Sequence, residues 1–129
     1  LIFGAVLRHT GARLDAHLLF AALVTIHVFL LTRRILRNHL EVPQLAKPAA
    51  ALGGLLTLQL MLGIGAYLGK FTGFGEAMSS SAMVAITTAH VGIGALMLVT
   101  SLALTLRVYR LTPRKPVINQ EFVSEGVSA

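Results

Sequence analysis

Five histidines, His9, His17, His27, His39 and His90, are the side chains of this sequence best equipped for chemistry, because cysteine is absent and Asp and Glu together number only five. His90 stands near the start of a long apolar run, Ala82 to Arg110, with Gly94 one turn further along the same face. An ionisable side chain inside such a run is costly and marks a binding site by default. A second apolar run, Leu14 to Leu36, carries His17 near its start and Ala21 one turn on. His17 lies sixteen residues before Arg33 and His90 seventeen before Arg107, each counted from the basic end of its own run. One further run separates the two, so they cross a membrane in the same direction and their histidines reach nearly the same depth. Two neutral imidazoles at one depth can hold an iron from opposite sides. A heme with both axial positions filled in this way is low-spin and b-type, suited to electron transfer and not to binding oxygen. Zinc fits less well, since no third ligand or carboxylate lies at that depth.

The other histidines sort differently. His27 is ten residues beyond His17, about 15 Å deeper and some 80° round the helix, and no histidine matches its depth. The sequence therefore predicts a hydrogen-bonded interior residue, with a ligand role toward a group held by another helix as the alternative. His39 follows the basic end of a span and reads as a surface residue. His9 belongs to the opposite surface, by default as a solvated loop residue, with a hydrogen bond to a propionate or service as an alternative ligand as the other readings.

The elements that must position His17 and His90 follow from composition. The chain of 129 residues is 55% hydrophobic and 12% charged, with a mean hydropathy of +0.77, which are membrane-protein values. The fold class expected is all-α, a transmembrane helical bundle of three complete spans plus the end of a fourth. Leu1 to Leu7 reads as the last turns of a helix that begins before this sequence, followed by a polar turn at Arg8-His9-Thr10-Gly11 and the first complete span. Asn38 to Lys47 reads as a polar loop. The second complete span starts at Pro48, where a first-turn proline forfeits only an amide that has no helical partner, and runs to about Lys70. It is rich in small residues, including Gly65 and Gly69, for which plain close packing is the leading reading over contact with a flat ligand. Gln59, the one strongly polar side chain in its middle, is expected to hydrogen-bond a neighbouring helix ahead of a cofactor or water. Phe71 to Ser80 is a loop ending in Ser79, Ser80 or Ser81 as a cap for the third complete span. Residues 1–112 thus form the membrane unit, and 113–129 a polar C-terminal tail broken at Pro113 and Pro116.

Charge gives an orientation. Arg33, Arg34, Arg37, Lys47, Arg107, Arg110, Arg114 and Lys115 share one side of this topology, against Arg8, Arg13 and Lys70 on the other. By the positive-inside rule the basic loop and the tail are cytoplasmic, as in a bacterial inner membrane. Nucleic-acid binding, the other reading of a pI near 10.9, lacks any motif and is set aside. Without cysteine there is no disulfide, thiolate ligand or covalent heme attachment.

Four stretches together resemble the heme A synthase family: Gly4 to Ala12 (GAVLRHTGA), the start of the His17 helix, Gln59 to Gly63 (QLMLG) and Thr88 to Ala95 (TAHVGIGA). The resemblance covers about Gly4 to Arg110. That family carries eight spans as two similar four-helix bundles, each with a histidine on its second and fourth helices facing one heme. The resemblance implies that this chain is one such bundle, closest to the C-terminal one, with His17 and His90 in the ligand positions and Ala21 and Gly94 leaving room for the macrocycle. Arg8 and Arg13 are candidates to neutralise the propionates, as is Lys70, each equally explained as an interfacial anchor. The family's catalytic bundle has a glutamate three residues before the ligand on its second helix. Leu14 stands there instead, with Asp15 on a different face, which implies a bundle that keeps heme b and passes electrons while the conversion of heme O to heme A belongs to a second four-helix bundle, in the same longer chain or a partner subunit. Two other readings stay open. One is a non-catalytic structural subunit of a respiratory or photosynthetic complex. The other is a small cytochrome b subunit of a quinone-linked dehydrogenase, for which no quinone pocket is evident.

Overall fold

A computed structural model of the chain describes residues 14–73 and 78–111. The expectations placed on Leu1 to Arg13, including Arg8, His9 and Arg13, and on the tail from residue 113 lie outside the described residues. Three helices make up the rest: α1 (Leu14–Asn38), α2 (Pro43–Phe71) and α3 (Ser80–Leu111). Each is long and apolar enough to cross a membrane, and the described residues form an all-α bundle of an integral membrane protein. Helices of 25, 29 and 32 residues exceed the roughly 20 residues that span about 30 Å of hydrocarbon, so their ends reach the headgroup layers.

Each helix turns one stripe inward. On α1 the stripe runs through Leu14, His17, Ala21, Thr25, Val28, Thr32 and Ile35, and on α3 through Met83, His90, Met97 and Leu104, seven residues apart. Much of the rest of both surfaces is apolar and open, with Phe20, Ile26, Phe29, Leu98, Val99 and Leu102 all exposed. Lipid takes the place of water around them, so α1 and α3 are held by close packing and by interhelical hydrogen bonds. Both pack along α2 far more than against each other. Gly53 of α2 admits the Thr32 methyl of α1, which would stand 3.1 Å from a Cβ there, while Gly65 and Gly69 face Ile86 and Met83 of α3. Plain close packing is thus what Gly65 and Gly69 serve.

The buried apolar residues gather at the basic end: Ile35, Leu45, Ala49, Leu52, Leu56, Met97 and Leu104. Among the described residues none is buried beyond Leu56 and Met97 toward the histidines. Among the described residues the bundle is closed at one end and half-open at the other.

The start of α2 corrects the sequence reading. The connection from α1 is only His39 to Val42, and Pro43, following an extended Val42, takes the first-turn position assigned above to Pro48. Pro48 lies inside the helix, where its missing N–H leaves the Gln44 carbonyl without its usual donor. That carbonyl accepts instead from Arg107 Nη1 of α3, at 3.2 Å. Because water reaches this end, Arg107→Leu is expected to cost at most about 1 kcal/mol, and markedly less in a Pro48→Ala background that restores the amide. A thermal-unfolding double-mutant cycle in detergent reads the difference, and equal costs in both backgrounds would contradict the pairing. At the other end of the connection between α2 and α3, Ser79 caps α3 by accepting from the Ala82 amide at 3.3 Å, as the sequence anticipated.

Candidate functional site

His17 and His90, 73 positions apart in sequence, meet where α1 and α3 come together over α2, with ring centroids 6.4 Å apart and ring planes at 74°. The depth count places a third residue beside them. Gly63 lies sixteen residues from Lys47 on the antiparallel α2, the same rise from the basic end as His17 has from Arg33. A Cβ on Gly63 would stand 3.1 Å from His90 Cε1 and 3.6 Å from its Nδ1. The glycine therefore seats the imidazole against bare backbone. Sequence reading passed over Gly63 in favour of Gly65 and Gly69; counting depth along α2, as was done for the histidines, finds it.

Gln59, one turn from Gly63, contacts the same ring: its Nε2 lies 3.3 Å from His90 Nε2. As placed, the amide donates and the imidazole nitrogen accepts, which puts the ring proton on Nδ1. Both His90 Nδ1 and Gln59 Oε1 are then buried without a hydrogen-bond partner. Turning the amide over makes Nε2–H the donor to Oε1 and leaves Nδ1 as a bare lone pair. Either way one imidazole nitrogen at this site is committed to Gln59 and the other has nothing to bond. The expectation that Gln59 bonds a neighbouring helix is met, and the helix group it meets is the candidate ligand itself. Interhelical hydrogen bonds in membranes contribute about 0.6 kcal/mol on average and about 1.7 at most. Gln59→Leu is accordingly expected to lower unfolding stability by no more than that, and a loss of several kcal/mol would show that Gln59 is a structural keystone.

Ala21 and Gly94 lie one turn deeper than the histidines and are half-buried. Between the histidines and the closed core the inward stripes thus offer small side chains on α1 and α3 and one amide on α2. Leu14, in the position where the resembling family has its glutamate, is half-buried on the inward stripe, while Asp15 is exposed. Lys70 ends α2 with its Nζ 5.9 Å from the Phe71 ring centre.

His27 departs from expectation in one respect. It is hydrogen-bonded, its Nδ1 lying 2.8 Å from the Leu23 carbonyl one turn back, but it is exposed and not interior. The 80° offset from His17 carries it off the inward stripe. His39 is a surface residue, as anticipated, 3.9 Å from Glu41.

The residues present can be tested against a heme by spacing and donor type. With metal–nitrogen bonds of about 2 Å and about 1.2 Å from each nitrogen to its ring centre, two imidazoles that share one metal ion put their centroids up to about 6.3 Å apart. The observed 6.4 Å matches that spacing and residues 21, 63 and 94 are small, while the His90 nitrogens face α2, Nε2 meeting Gln59 and Nδ1 lying beside Gly63. Among the described residues no three His, Cys, Asp or Glu side chains converge as a metal site of their own. No protein-family model, curated protein or solved structure matches the chain.

Proposed function

We propose that this chain is a b-type heme-binding, electron-transferring bundle of a heme A synthase-like membrane protein. The observation that carries the reading is the His17–His90 pair: two imidazoles from parallel helices, at one depth, with the centroid spacing of a bis-histidine iron. His17 and His90 would hold the group, and Ala21 and Gly94 would leave room for its plane. When bound, the group would supply one-electron transfer. The chain's own part is to keep both rings neutral and aimed. Gly63 sets the distance of His90 from α2, and Gln59 holds the ring at Nε2, as hydrogen-bond partners of metal-bound histidines commonly orient the ring. Leu14 supplies no acid or base, so oxidation of heme O to heme A is assigned to a second bundle. The setting is a bacterial inner membrane, with the end bearing Arg33, Arg34, Arg37, Lys47, Arg107 and Arg110 in the cytoplasm.

A second reading, a non-catalytic subunit of a larger respiratory or photosynthetic complex that has kept the fold, is favoured by one contact. Gln59 already engages His90 Nε2, as a bundle without heme would need. A reduced-minus-oxidised absorption spectrum of the purified chain decides between them. A low-spin b-type signal at one heme per chain is expected, and its absence after expression with ample heme leaves the structural reading.

A further inference from the structure

We propose that the basic end of α1 carries a binding site for the phosphate headgroup of an anionic phospholipid, formed by Arg33, Arg34, Arg37 and Asn38 above Leu30. These five residues line one open hollow of about 420 Å³. At about 100° per residue Arg33, Arg37, Leu30, Arg34 and Asn38 fall in that order within an arc of about 140°. Thr32 and Ile35, which are buried in the bundle, point the other way. The hollow therefore opens outward, to lipid.

Three guanidiniums share it with no carboxylate at ion-pair distance among the described residues. Like charges gathered in one hollow repel unless an anion joins them, and the guanidinium fork matches the oxygens of a phosphate. The source of that phosphate follows from what lies beneath. Leu23, Ile26 and Leu30 continue the same arc toward the membrane centre and are all exposed, which gives acyl chains a track directly below the headgroup. A soluble phosphate would use the arginines and leave the track idle. Orientation by positive charge asks only that basic residues be on this side, not that three of them line one hollow with an amide.

The site stands apart from the histidines, so it holds whether or not heme is bound. The test uses the full chain in mild detergent, with native mass spectrometry during titration by phosphatidylglycerol or by phosphatidylcholine. One phosphatidylglycerol per chain is expected to survive detergent release in preference to phosphatidylcholine. Each arginine replaced by glutamine should lower that preference about five-fold, and all three about a hundred-fold. Arg110→Gln removes the same charge outside the hollow and should change it less than two-fold. To guard against misfolding or inverted insertion, Arg33→Lys/Arg34→Lys/Arg37→Lys keeps the charge and should still lose about five-fold, because the forks are gone. Equal effects of Arg34→Gln and Arg110→Gln, or an unchanged preference in the triple lysine chain, overturn the site. Displacement of the lipid by millimolar inorganic phosphate alone overturns the lipid as its occupant.

Discussion

His90→Ala is expected to abolish the low-spin heme spectrum, and His17→Ala to do the same, while His27→Ala leaves it intact. Each of the first two removes one of the two imidazoles proposed to hold the heme. Loss of a hydrogen-bond partner to a metal ligand already costs about ten- to a hundred-fold in affinity, so loss of the ligand itself should exceed about a hundred-fold. No other imidazole can replace it from within the described residues: His39 is on the surface beyond the end of α1, and His27 is about 15 Å deeper than His17 and faces outward, its Nδ1 engaged by the Leu23 carbonyl. The measurement is heme per chain by pyridine hemochrome, beside the reduced-minus-oxidised spectrum. Heme kept in both His17→Ala and His90→Ala but lost in His27→Ala would overturn the pairing.

The second large effect belongs to Gly63. A Cβ there comes within 3.1 Å of His90 Cε1, a distance at which the ring has to give way by a few tenths of an ångström. A leucine leaves it no room, since the ring lies between α2 and His17. Gly63→Leu should therefore remove heme as completely as His90→Ala while the chain stays helical and in the membrane. Gly69→Ala makes the informative contrast. A Cβ at Gly69 collides with the Met83 methyl, yet that atom ends a flexible side chain that can turn aside. A cost below about 1 kcal/mol and no loss of heme are expected, read by thermal unfolding and by the same spectrum. Full heme content in Gly63→Leu would mean that the His90 ring does not depend on this glycine.

What could be read from the sequence divides along physical lines. The spans were legible because a bilayer demands long apolar runs, and His17 and His90 were legible as a pair because parallel helices turn sequence distance into depth. The same count, carried onto α2, would have found Gly63. The start of α2 was misread because Glu41-Val42-Pro43-Gln44 looks like a loop in water; at a membrane surface a helix can run on through polar residues, and Pro43 is a better start than Pro48. The contact between Arg107 and Gln44 could not be read at all, since it depends on how α3 lies beside α2. His27 could have been placed outside from its offset, had the inward stripe of α1 been drawn first through Leu14, Ala21, Val28 and Ile35.

Pro48 also acts as a ruler. The carbonyl it strips of its amide partner needs another donor, and the hydrocarbon interior holds neither water nor a guanidinium to offer one. Gln44 is thereby pinned to the membrane surface, and α2 cannot slide inward without stranding it. Gly63 is nineteen residues beyond Gln44 along the same rigid helix, a rise of about 28 Å. The level at which His90 finds its bare stretch of backbone is thus set from the opposite side of the membrane, by a residue that touches neither histidine.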